Sequence, residues 1–202
     1  PLVTDSIPFS AAWGAWIVIF MAMGAGSNLY GLDGGSMWHL VMIPQALRDD
    51  VRGRQIAWLI MAAPFAIVPT AVVRVFGDLG LDRLAVPISV TLSMLGVSAG
   101  LIVMVSVRAA YPVPEPTKAF SLNTRGSFNG GSFALVLLSM VVLGLSVVPA
   151  LLLALLLPGA FAYLSVPVAA AIGWLGMWWG ARMAVNTLVG DSDKILHAVI
   201  SR

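Results

Sequence analysis

The 202 residues are 59% hydrophobic and 10% charged, with a mean hydropathy of +0.96, whereas a soluble domain typically carries about 25% charged residues. So few charges cannot cover a water-facing surface, and most of the outside must face lipid. A net charge of +2 leaves no basic footprint for nucleic acid, and the absence of cysteine excludes disulfides and thiolate metal sites.

In chain order, the pattern predicts an all-α membrane protein, a single domain of about five transmembrane helices, each needing about 20 apolar residues to cross the hydrocarbon core. The expected spans are residues 11–30, 55–73, 84–107, 131–157 and 160–185. Backbone polar groups facing lipid are satisfied only within a helix or a closed barrel. These runs are too long and continuous for barrel strands, which alternate in polarity. Pro64 and Pro69 fall inside the second span, Pro87 opens the third, Pro149 lies late in the fourth and Pro167 early in the fifth. Residues 157–167 read either as a broken helical hairpin dipping into the outer leaflet or as a tight turn at Pro158-Gly159. Gly96 with Gly100, and Gly176 with Gly180, have the spacing that permits close helix approach, although such spacings also arise by chance in Gly-rich membrane proteins.

Lys and Arg set the expected orientation. Arg48, Arg52 and Arg54 follow the first span, Arg108, Lys118 and Arg125 follow the third, and Arg182, Lys194 and Arg202 follow or close the fifth. Only Arg74 and Arg83 lie at the other membrane face. The first loop, the loop over residues 108–130 and the C-terminus are therefore expected in the cytoplasm, and the N-terminus outside. An odd number of spans with an external N-terminus suits the C-terminal part of a larger protein.

The most distinctive stretch is NLYGLDGGSMWHLVMIPQALRDDVRGRQ, residues 28–55. Gly31, Gly34 and Gly35 around Asp33 suit a turn or a helix N-terminus. Residues 37–43 are expected to form an interfacial helix anchored by Trp38. Pro44 interrupts, and residues 45–51 are expected to restart as a short polar helix. Arg48, Asp49, Asp50 and Arg52 alternate in sign there, which describes a solvated loop and a protein-docking surface equally.

This pattern of Gly-Leu-Asp-Gly-Gly, a Trp-containing apolar run, a Pro and a basic stretch ending in Gly-Arg resembles the permease of a type-2 ABC exporter, and is most similar to the larger actinobacterial permeases. The stretch Tyr111-Pro112-Val113-Pro114-Glu115-Pro116 and the Trp- and Gly-rich last span add to the resemblance, which covers nearly the whole chain but only the C-terminal half of such a bundle. It implies a cytoplasmic coupling helix within residues 36–54 that docks into a separate ATPase subunit, with Pro44, Gln45, Leu47, Arg48, Asp49, Asp50 and Arg52 at the contact. It implies as partners that ATPase, which binds ATP and Mg, and a second membrane half from the same polypeptide or another copy. The location implied is the cell membrane.

No cofactor or metal site is expected in this chain. No G-x-x-x-x-G-K-[ST] occurs, so ATP hydrolysis must come from another chain. His39 and His197 stand alone, without the three or four ligands zinc needs, and no G-x-S-x-G marks a nucleophile. The span cores lack ionisable residues, which argues against ion-coupled transport. Ser89, Ser93, Ser139 and Ser146 are candidates for lining a transport path or for helix-packing hydrogen bonds. The expected function is ATP-driven export of an apolar or amphipathic substrate, with no enzyme activity in this chain. The alternatives are a structural or accessory subunit without a path, and a lipid-acting intramembrane enzyme using Asp33 and His39.

Overall fold

A computed structural model describes residues 14, 16–24, 26–33, 37–76, 83–111, 130–193 and 195. Residues 16–24 are helical (α1). Two short helices follow, α2 (Leu29–Asp33) and α3 (Met37–Met42), and then four long ones, α4 (Pro44–Phe76), α5 (Ala85–Arg108), α6 (Gly130–Leu156) and α7 (Ser165–Gly190). A 3-10 helix, Gly159–Leu164, leads into α7. The described residues contain no strand, and α4 to α7 are each long and apolar enough to cross a membrane.

Two boundaries differ from expectation, and one open alternative is decided. The first predicted span, 11–30, extends into residues outside the described ones, and its described part ends early. The backbone turns at residues 26–28, where the Gly26 amide donates to the Ala22 carbonyl and the Ser27 hydroxyl to Gly24. The short polar helix expected at 45–51 is not a separate element. It is the N-terminal part of α4, which runs unbroken from Pro44 into the membrane span. Proline suits a first helical position, where its missing N–H has no intrahelical acceptor to lose. Only Ile43 separates α4 from α3. Finally, the stretch between α6 and α7 is a turn rather than a re-entrant hairpin. Gly159 supplies a φ of +58°, open to glycine without a Cβ penalty. The six-residue 3-10 helix that follows rises only about 12 Å, too little to enter and leave a leaflet.

Helix α5 is the axle of the bundle. It is buried along nearly its whole length, with α4, α6 and α7 packed around it. The outer helices turn Ile60, Phe65, Leu138, Leu145, Leu155 and Trp179 outward, the apolar belt that lipid requires. Burial of α5 is tightest against α7, where glycines of both helices interleave. A Cβ on Gly100 would stand 2.8 Å from the Gly176 carbonyl carbon, and one on Gly173 would stand 2.8 Å from the Leu92 carbonyl oxygen. The two backbones therefore touch directly. Polar side chains supply the remaining cross-links. Gln55 of α4 donates to the carbonyls of Ala99 (3.3 Å) and Met177 (2.9 Å), tying α4, α5 and α7 at one point. The Trp58 indole donates to the Ser98 hydroxyl at 3.0 Å.

Candidate functional site

The charged end of the bundle gathers the residues that the sequence marked as distinctive. Asp50 and Arg54 lie one turn apart on α4, with buried Leu47 and Val51 beside them. The Arg54 Nε donates to the Asp50 carboxylate at 2.9 Å, and its other nitrogens reach the Asp33 carboxylate and the Leu29 carbonyl of α2. The Tyr30 hydroxyl donates to the same Asp50 oxygen at 2.8 Å, and the Arg54 guanidinium lies 4.2 Å above the Tyr30 ring. The Tyr30 amide donates to the Ser106 hydroxyl of α5 at 2.9 Å. Burial, reinforced by the Asp50 carboxylate, pushes the Tyr30 phenol well above its ordinary range. Tyr30, in α2 and outside the four spans, thus remains a neutral donor. One arginine between two carboxylates, capped by a tyrosine, latches α2 to α4 and α5.

A second clasp lies beside the first. The Asn28 amide donates to the Tyr111 carbonyl (3.0 Å) and accepts from the Tyr111 amide (3.1 Å), so the side chain pairs with backbone as a strand would. Gly31 is required here because a Cβ would collide with Asn28 and with the Tyr111 carbonyl oxygen.

The structure divides the expected docking set. Arg48, Asp49 and Arg52 are exposed on the outer side of α4, whereas Leu47 is 3% exposed and Asp50 is engaged by Tyr30 and Arg54. Leu47 and Asp50 thus face the protein, since positions 47, 50, 51 and 54 form one helical face. Pro44 and Gln45 belong to α4, but their side chains lie outside the described residues, as do Gly34 and Gly35. Asp33 is bound to Arg54 and His39 is exposed. Among the described residues no three acidic or histidine side chains gather as a metal site. The candidate path serines are taken up in packing. Ser89 meets the Ser165 hydroxyl at 2.7 Å, Ser93 donates to the Ser146 carbonyl at 3.1 Å, and Ser139 and Ser146 donate to carbonyls within α6.

The same end also carries an open groove of about 700 Å³ between α4 and α7. Arg48, Arg52 and Ile56 line one wall at four-residue spacing. Trp174, Trp178, Arg182 and Asn186 line the other at the same spacing, and the Arg182 guanidinium stacks 5.4 Å from the Trp178 ring. Gln55 closes the floor through its two carbonyl bonds.

Sequence reasoning did not single out Tyr30, Asn28, Arg54, Gln55 or Ser106. The available signal was position, since each is a polar group at the edge of an apolar run. Comparison with protein-family models, with curated proteins and with solved structures finds no match to this chain.

Proposed function

We propose that the chain is the membrane-spanning component of an ATP-driven exporter, moved by a separate ATPase that docks on the N-terminal turns of α4. The observation that carries this reading is the continuity of α4. A motor outside the membrane needs a stiff, water-exposed element joined directly to a span. Residues 44–54 continue without a break into the apolar part of the same helix, and expose Arg48, Asp49 and Arg52 at the outer end. The Arg54 latch would carry displacement of that end to α2 and α5 at once. ATP and Mg would be bound by the partner, and substrate would follow an apolar route.

The test is the double variant Arg48→Ala/Asp49→Ala, which leaves the latch intact. A P-loop ATPase should co-purify with the native protein in mild detergent, and the variant should lose most of it, with export falling in parallel. Retention of a full complement of ATPase by the variant, or none by the native protein, would sink the docking role. A second reading, an accessory subunit without a path, is favoured by one observation: the four serines able to line a route are consumed in helix packing. It predicts normal assembly of a larger membrane complex and no response of that complex to nucleotide.

A further inference from the structure

The groove between α4 and α7 has a chemical gradient along its depth. On α4 the lining runs Arg48, Arg52, Ile56 toward the membrane interior. On the antiparallel α7 it runs Asn186, Arg182, Trp178, Trp174 in the same direction. Each four-residue step rises about 6 Å, so the walls descend from polar to apolar over roughly 12–18 Å. The outer part presents three guanidiniums, and no acidic side chain lines the groove among the described residues. Arg54, by contrast, is paired with the Asp33 and Asp50 carboxylates on the other side of α4. Stacking on Trp178 holds the Arg182 head in place while leaving its N–H edges open. Tryptophan is the side chain favoured where headgroup meets acyl chain.

We infer that this groove is a binding site for an anionic phospholipid, its phosphate held by Arg48, Arg52 and Arg182 and one acyl chain lying along Ile56, Trp178 and Trp174. Planar guanidinium forks match phosphate oxygens, two bonds at a time. A site open sideways to the bilayer, with its charge at headgroup level and its apolar end toward the core, is shaped for a molecule divided the same way. Basic pockets between membrane helices on the cytoplasmic side select anionic headgroups for this reason. The lysine and arginine distribution assigns this end of the bundle to that side. The inference stands apart from the exporter reading: an accessory subunit would hold the lipid equally, and a phosphate on Arg48 and Arg52 would occupy two of the side chains that the exporter reading gives to the ATPase.

The experiment equilibrates the purified full chain in micelles doped with equimolar phosphatidylglycerol and phosphatidylcholine, and counts retained lipid by mass spectrometry. Phosphatidylglycerol should be enriched about tenfold or more on the native protein, and Arg48→Gln/Arg52→Gln/Arg182→Gln should abolish that preference. Each single Arg→Gln change should lower it about fivefold, which keeps the test decisive if the triple variant aggregates. Arg74→Gln, at the opposite end, should leave it intact. No enrichment on the native protein, enrichment that survives the substitutions, or an equal loss in Arg74→Gln would overturn the site. Displacement of the lipid by millimolar inorganic phosphate would reassign it to a free anion.

Discussion

Arg54 faces two carboxylates and a tyrosine from the inner side of α4, and its removal has a larger consequence than its position in a run of charges suggests. The Arg54→Ala variant leaves Asp33 and Asp50 adjacent without a cation, each losing a charge-assisted hydrogen bond. The expected destabilisation is about 2–3 kcal/mol, read as a fall in the thermal midpoint of the detergent-solubilised protein. Arg54→Lys should recover only part of it, because a single ammonium cannot serve both carboxylates with the geometry of a fork. Arg52→Ala, one exposed step away on the same helix, should stay within about 0.5 kcal/mol of the native protein. The sequence shows Arg48, Arg52 and Arg54 as one basic cluster. Nothing in their order says that the third turns inward, because that depends on Tyr30 and Asp33 arriving from a neighbouring helix.

At the scale of elements, the packing of α5 against α7 rests on what is missing from their surfaces. Gly100→Leu or Gly173→Val forces the backbones apart, with a cost of about 1–3 kcal/mol expected for overpacking. Gly144 on α6 has nothing within 4 Å of an added Cβ. Gly144→Ala should therefore be neutral or stabilise by up to about 1 kcal/mol through helix propensity. Both are measurable by unfolding in mixed micelles, and equal effects at the two sites would contradict the interleaved packing. Gln55→Leu, which abandons two carbonyls at the meeting of α4, α5 and α7, should cost about 1 kcal/mol. Element existence was legible in the sequence, since continuous apolar runs gave α4 to α7 to within a few residues at most ends. The start of α4 was not, because its first turns are charged and read as a separate short helix rather than as the beginning of the span. They stay helical because Leu47, Val51 and Asp50 have inward partners that a polar segment does not advertise. The glycine spacings were visible, but not which helices they would join.

Considered whole, the molecule is four long helices arranged around one of their own number, with its charges sorted to the ends. Because the chain has no cysteine, single introduced thiols test that sorting cleanly. Asp191→Cys, just past α7, and Arg83→Cys, just before α5, should react with a membrane-impermeant maleimide from opposite sides of sealed vesicles. Labelling of both from one side would overturn the up-and-down arrangement. Hydrogen exchange should be slowest in α5 and faster at α2, a five-residue helix secured mainly by polar side chains.

The central place of α5 also bears on how the protein is made. Its serines, threonine and glycines suit a packed interior and offer lipid a poor surface, yet its tightest partner, α7, is completed about 80 residues later. At ordinary rates of synthesis that is roughly 4–16 s. During that interval the glycine face of α5 has no helix to receive it. A nascent chain stalled before α7 would therefore expose an unfinished seam within the bilayer, the kind of surface that membrane quality-control proteases and insertion chaperones recognise.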